Sequence, residues 1–534
     1  MAKKNDIFKG KSAVELAEKM GLSKKDLEVC GKYSAKLNSE AVQRLRRGGK
    51  AKLIVVAPTM PVYGTDNQHY IICERFVQAF SLLRKSTLLC VPSYSLEDML
   101  VHETYNNLFP LQDVLTGSGE ISNIAYLHNF IANYINNQLI YNSNSSSLPY
   151  HLMWNRVATS RDEALKKVIT GFGNTKPGRT LKEEGFMHMQ NSELLAVVAA
   201  SMTEEELKSR LSKIMVGISR ENTAVHLKDI KLDDTVFEML KGAMNPKLMQ
   251  NRNGDPVMVY TSPTGNFLPE GNPLAISAAM SLADFVIAKF DSGVPLSIEK
   301  FFNITCAENE ITPDMVVITA FVNELNTYGG ATLENSRQKN LAALEKGIQV
   351  LIGDVENVKK FGVPVLVSIC ENRDITMDEI KIIDKYCSDL GVKPVFSHTK
   401  NYSTKAGIDF VKSVLEIIRI EKSYFKPIYE NEIPLKDKIN MIVKEVYNKN
   451  KVTYSGKAEK EFGLFERMGY GKLHVSVSRS PYWHEPSLQN EINIKSASLY
   501  AGAGLVMATA EDGEFMPYYN GKYNIDRVKN VLYK

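Results

Sequence analysis

The chain has 534 residues, of which 44% are hydrophobic and 24% charged. That is ordinary globular usage and excludes disordered, collagen-like and coiled-coil classes. Lysine plus arginine total 65 against 61 aspartate plus glutamate, a formal charge of +4 that leaves no basic footprint for nucleic acid.

No apolar run approaches the roughly 18 residues that would read as a membrane span. Met1–Lys11 is charged with no apolar stretch behind it, unlike a secretory leader. Six cysteines occur without any C-x-x-C pair. Cys90 and Cys370 close apolar runs and read as buried, reduced thiols. The expectation is a cytoplasmic protein with no membrane and no nucleic-acid partner.

Leu53–Ala57 is a short Val/Ile/Leu run of the kind that makes a strand covered on both faces. A loop over Pro58–His69 follows, then a helical pattern over Ile71–Leu83 and a strand over Thr87–Val91. Helical spacing returns at Ile121–Leu139 and Glu204–Ser212, separated by the polar tract Asn142–Ser147 (NSNSSS). Strands at Val316–Phe321, Pro364–Cys370 and Pro394–Phe396 alternate with helices at Leu333–Leu351, Met377–Leu390 and Thr404–Ile418. Gly362, Val363 and Pro364 stop one helix and open a strand. Such alternation predicts βαβ units and a mostly parallel sheet. Tyr424–Pro434 reads as a linker. Beyond it come two helices and short strands near His474–Val477 and Ile492–Leu499. These boundaries predict a large nucleotide-type domain over 1–290, a second α/β domain over 291–425 and a smaller C-terminal domain over 426–534.

A strand, loop and helix at residues 53–83 is where an α/β nucleotide-binding protein keeps its phosphate loop. Such a loop uses several glycines, a lysine for the β/γ-phosphates and a hydroxyl for magnesium. The segment Pro58–His69 (PTMPVYGTDNQH) has one glycine, Gly64, and no lysine occurs between Lys52 and Lys85. Asp66 would repel phosphate.

Further motifs give the sequence a family likeness. Ala17–Tyr33 (AEKMGLSKKDLEVCGKY), Gly119–Glu120–Ile121 with His128–Asn129, Ser192–Glu193–Leu194, Leu282–Ile304, Tyr328–Gly329–Gly330 and Ala501–Gly504 follow one another in collinear order. Together they resemble the formate–tetrahydrofolate ligase family along nearly the whole chain. The resemblance implies a P-loop-NTPase-like, mostly parallel sheet flanked by helices, with smaller attached α/β units. It also implies ATP-dependent formylation of tetrahydrofolate through formyl phosphate, with ATP, magnesium and tetrahydrofolate as ligands and a homotetramer as the assembly.

Against that pattern the ligand positions of this chain depart. The family loop of type P-x-G-E-G-K-T-T falls on Pro61–Gln68, leaving Pro61, Gly64, Thr65 and Asn67 as the nucleotide-side candidates. The family's R-E-P-S becomes Cys90, Val91, Pro92 and Ser93, without the arginine fork. Its H-G-G-P-F-A-N becomes Tyr260–Asn266, with Thr264 in place of the stacking phenylalanine. Pro263, Asn266 and the nearby Phe267 are retained as pocket candidates. Lys400 stands in place of a tryptophan, and E-A-G-F-G-A-D becomes Lys289–Pro295. Without the lysine, much of the electrostatic stabilisation of phosphoryl transfer is missing.

His128 and Arg479 remain as candidate catalytic groups, though a helix histidine with a solvated asparagine face is the plainer reading of the first. Glu120, Asn129, Tyr482 and Trp483 complete the candidate pocket, the last two from the aromatic and cationic stretch Arg479–Pro486 (RSPYWHEP). A pocket lined by Tyr63, His128, Phe267 and Trp483 would indicate a new substrate. Glu299 and Lys300 read as an exposed helix pair. No histidine spacing predicts a metal site; His188, between Met187 and Met189, reads as core or loop. Two functions follow: a ligase-family enzyme that is weakened or altered in substrate, or a non-catalytic paralogue that binds a metabolite or assembles with an active relative.

Overall fold

The computed structural model describes residues 10–59, 69–93, 108–109, 119–141, 148–171, 182–251, 253–264, 267–371, 373–398, 404–478 and 490–510. Its centre is an eleven-stranded sheet. We number its long strands β1 (Leu27–Val29), β2 (Ala35–Leu37), β3 (Lys52–Pro58), β4 (Thr87–Pro92), β5 (Lys247–Asn251), β6 (Pro256–Tyr260), β7 (Phe285–Lys289), β8 (Met315–Phe321), β9 (Val365–Glu371) and β10 (Pro394–His398). They lie in the order β1-β2-β5-β6-β4-β7-β3-β8-β9-β10, and Leu108–Phe109 adds a short pairing to β5. From β6 to β10 every neighbouring pair is parallel, while β1, β2, β5 and β6 pair antiparallel.

The apolar runs are strands because both sheet faces are covered. Leu53, Val55 and Ala57 of β3 face one core cluster, and Ile54 and Val56 face the other. The second cluster is closed by helix α1 (His69–Leu82) and by the helix Thr404–Ile420, whose Phe76 and Phe410 rings stack at 3.6 Å. The first cluster carries helix α2 (Gly119–Tyr141), helix α3 (Glu193–Ala200) and helix α4 (Leu341–Lys360). A separate four-stranded sheet from Lys451–Tyr454, His474–Ser478, Glu491–Tyr500 and Leu505–Ala510 has its own core with the helices Leu435–Glu445 and Gly456–Arg467.

Two expectations change. The helix placed over Leu333–Leu351 begins only at Leu341, because the Asn340 side chain caps it by accepting from Ala343 N at 3.0 Å. Residues before it turn instead, with Ser336 Oγ donating to the Leu333 carbonyl at 2.8 Å and Leu333 left 49% exposed. Glu299 and Lys300 are buried, not an exposed pair. They lie between the π-helical turns Val294–Ile298 and Phe301–Cys306, in a segment that is buried throughout. Lys300 Nζ donates to the Leu296 carbonyl at 2.9 Å, and Glu299 accepts from Asn303 at 2.8 Å. The linker Tyr424–Pro434 contains no helix or strand, and the tract Asn142–Ser147 lies outside the described residues.

Candidate functional site

In an open parallel sheet ligands bind beyond the carboxyl ends of the strands. Here that edge is formed by Thr59 after β3, Ser93 after β4, Thr261–Thr264 after β6 and Phe290–Ser292 after β7. The sheet register fixes their level, since Ala288 of β7 pairs with both Val55 and Cys90.

Lys289 ends β7 and is fully buried. Its ammonium bonds the Asp291 carboxylate, and Asp291 N donates to Glu270 Oε1 at 2.9 Å. Burial pulls the lysine down to about 8, against the opposing pull of Cys73 and Glu270. Burial pushes Glu270 up to about 7, the Asp291 amide and Lys289 drawing it back, and burial alone raises Asp291 to about 7. A buried cation, the buried Glu270 and the partly exposed Asp291 therefore lie together and compensate one another. Beside them His69 at the start of α1 meets the Phe290 carbonyl through Nε2 at 3.0 Å and Thr319 Oγ1 through Nδ1 at 2.7 Å. The Nε2 proton is donated to that carbonyl, so Nδ1 accepts from the threonine. Burial first, and the Lys289 cation second, pull His69 down to about 3. The sequence marked Lys289–Pro295 as an altered motif but gave no sign that Glu270 and His69 join it. The available signal was a lysine closing the apolar strand Phe285–Ala288, since a charge at the end of a buried run needs partners.

The sequence candidates fall elsewhere or outside the described residues. His128 is fully buried on α2. Its Nε2 meets the Asn155 carbonyl at 2.9 Å and its Nδ1 the Ser192 hydroxyl at 2.8 Å. Trp154 stacks on the ring at 4.2 Å and donates its indole N–H to the His128 carbonyl at 2.9 Å. Burial pulls the imidazole down to about 3 despite the Asn155 carbonyl. Asn129 pairs with both backbone groups of Val157 at 2.9 Å, as a third strand would. Glu120 sits between Lys36 at 2.7 Å and Lys247 at 2.6 Å. Burial raises its carboxyl, but the two ammonium groups outweigh it and hold the group below its ordinary value. Pro263 accepts from Ser262 Oγ at 2.9 Å, Thr264 N donates to Gln190 at 2.8 Å, and Phe267 is buried. His128, Asn129 and Glu120 thus belong to α2 and its contacts, and Pro263 and Phe267 to the segment after β6. Pro61, Tyr63, Gly64, Thr65, Asn67, Asn266, Arg479, Tyr482 and Trp483 lie outside the described residues.

Motifs far apart in sequence meet in space. Ser192 caps α3 by accepting from Leu195 N at 3.3 Å. Glu193 on that first turn accepts from Gly502 N at 2.7 Å, and Tyr500 donates to the Asn191 carbonyl at 2.7 Å. A Cβ at Gly502 would lie 2.5 Å from Ile214 and 2.7 Å from the Arg210 carbonyl, so the close approach requires glycine. The segment Tyr328–Gly330 crosses α4 equally tightly, with a Cβ at Gly329 falling 1.8 Å from the Ala343 carbonyl. The chain matches the family model of formate–tetrahydrofolate ligase over residues 3–529. With nearly its whole length inside that match, and with its matching motifs joined in one core, this chain belongs to the formate–tetrahydrofolate ligase family.

Proposed function

We propose that this chain is a divergent member of the ligase family in which the ATP-dependent formylation of tetrahydrofolate is impaired or altered. The observation that carries the reading is the charge state of the strand edge. The buried cation at the end of β7 is already engaged by Asp291 and Glu270. A triphosphate needs uncompensated positive charge, backbone amides and a magnesium ligand. The described side chains beside β3, β4 and β7 offer hydroxyls, carboxyls and one compensated lysine. That donor set does not fit Mg-ATP.

The family frame supports a role in one-carbon chemistry with a changed acid or amine substrate. The same frame makes a homo-oligomer, or a hetero-oligomer with an active relative, the assembly to seek, in the cytoplasm. The paired test is a ligase assay and the thermal shift with Mg-ATP, formate and tetrahydrofolate applied separately. At 100 times its dissociation constant a ligand adds about 2.7 kcal/mol, which a melting curve reads easily. The reading expects no Mg-ATP shift and no formyl transfer. A clear Mg-ATP shift with turnover would overturn it.

A further inference from the structure

The segment Tyr424–Pro434 carries no helix or strand, yet its backbone is tied along its length. Tyr424 N donates to the Gly362 carbonyl at 2.9 Å and Lys426 N to the Phe361 carbonyl at 3.0 Å. Ile428 N donates to Asn303 Oδ1 at 2.9 Å. Farther on, the fully buried Lys438 of the helix Leu435–Glu445 donates from Nζ to the Asn431 carbonyl at 2.7 Å. A segment held in this way is a fixed wall, with little ordering entropy left to lose when a molecule binds against it.

The wall faces a hollow of about 830 Å³ between the helix Leu435–Glu445 and residues 306–312. Ligand sites have this size and favour junctions between separately packed units. Ile311, Phe425, Ile428, Ile433 and Met441 line the hollow. All but Ile311 are half-buried, so apolar surface is left against water. The Phe425 ring is fixed edge-on against Phe302 at 5.3 Å. The rim carries Glu310, Lys426 and Glu430, all exposed. Neighbouring carboxylates are already paired, Glu432 with Lys472 at 2.6 Å and Glu308 with Arg210 at 3.3 Å. Among the described residues Glu310, Lys426 and Glu430 enter no ion pair. Two carboxylates against one ammonium leave the rim with one net negative charge.

We propose that this hollow is a binding site for a small arylalkylamine, its ring against Phe425, Ile428, Ile433 and Met441 and its ammonium at Glu310 and Glu430. The apolar lining selects the ring by removing it from water. The negative rim selects the amine over the matching acid. The proposal is independent of what the family cleft binds, because the two places are far apart. Thr312 lies three residues before β8, and the cleft lies beyond the carboxyl end of that strand. Its 7 residues, at roughly 3.3 Å each, put about 20 Å between them. A bound molecule would touch residues 306–312 of the sheet-bearing body and Met441 of the C-terminal unit at once, and so brace one against the other.

The test is equilibrium dialysis of the purified full chain at pH 7 against tryptamine, tryptophol and indole-3-acetate, which share one ring and differ in the end group. Tryptamine should bind about fivefold more tightly than tryptophol, the swing that one exposed ion pair supplies, and indole-3-acetate most weakly. The double variant Glu310→Gln/Glu430→Gln alters only exposed side chains. It should bring tryptamine and tryptophol within about twofold of each other, the charge on the rim being gone. Ile433→Trp fills the hollow and should abolish binding of all three probes. Should Ile433→Trp fold poorly, the glutamine pair carries the test. No binding of tryptamine at millimolar concentration would overturn the site. Indole-3-acetate binding as tightly as tryptamine would overturn the amine assignment. Unchanged tryptamine binding to folded Ile433→Trp would overturn the location.

Discussion

Replacing Lys289 by methionine tests whether the strand-edge charges form one coupled unit. The side chain keeps its length and loses its charge, so packing changes little. Glu270 and Asp291 then lose their buried cation. Both carboxyls already stand at about 7, above their ordinary values of 4.5 and 3.8. Without the ammonium their folded-state values rise further. A raised carboxyl costs stability progressively as pH rises from its unfolded value towards its folded one. At pH 8 the variant must bury uncompensated carboxylates or hold protons it would otherwise release. Removing one partner of a buried pair costs about 3–5 kcal/mol. Near pH 5 the carboxyls are protonated, and replacement of a buried ammonium by a thioether is about neutral. Thermal melts at the two pH values should therefore differ: a fall of several degrees for K289M at pH 8 and little change at pH 5. Equal loss at both pH values would make the effect one of packing, and no loss at pH 8 would refute the coupling.

His128→Phe keeps the stacking on Trp154 but leaves the buried Ser192 hydroxyl without its ring acceptor, costing about 1–3 kcal/mol in a denaturation experiment. In the parent protein this imidazole, held near 3, should show no titration between pH 5 and 8 when the histidine ring signals are followed by NMR. Gly329→Ala would place a Cβ 1.8 Å from the Ala343 carbonyl and should cost about 3 kcal/mol or more. Gly353→Ala, on the same helix α4 with nothing within 4 Å of its Cβ, should instead add up to about 1 kcal/mol. Burial raises Glu193 to about 8, against the Gly502 and Ala503 amides, so its cost to the fold grows as pH rises from 4.5 to 8. Glu193→Gln keeps an acceptor for Gly502 N and should flatten the pH dependence of melting across that window; an unchanged slope would show that the carboxyl does not titrate there.

The strands that carry the sheet were legible because both-face burial writes itself as unbroken Val/Ile/Leu runs, as in Leu53–Ala57 and Val316–Phe321. Cys90 and Cys370 are buried as their runs implied. The start of helix α4 was misplaced because Leu333 matches the helical spacing, while the Asn340 cap that sets the boundary is a local hydrogen bond that hydrophobic periodicity does not register. The hairpin of β5 and β6 was not anticipated. Its first strand mixes lysine, glutamine and asparagine with apolar residues, and Gly254 turns at a φ of 83° before the apolar second strand.

What the sequence determined by itself was the α/β alternation and the family likeness, because each depends on residue type and order alone. What the tertiary structure decided was which side chains share a volume. Glu299 and Lys300 read as a solvated pair, but the fold buries them between two π-helical turns. His128 read as a possible catalyst until Ser192 and Asn155, distant along the chain, take both its nitrogens. Along the chain Lys289 and Asp291 read only as part of an altered family motif, and Glu270 had no reading at all. The register of β7 against β3 and β4 puts them at the strand edge, where loss of water makes each charge depend on the other two.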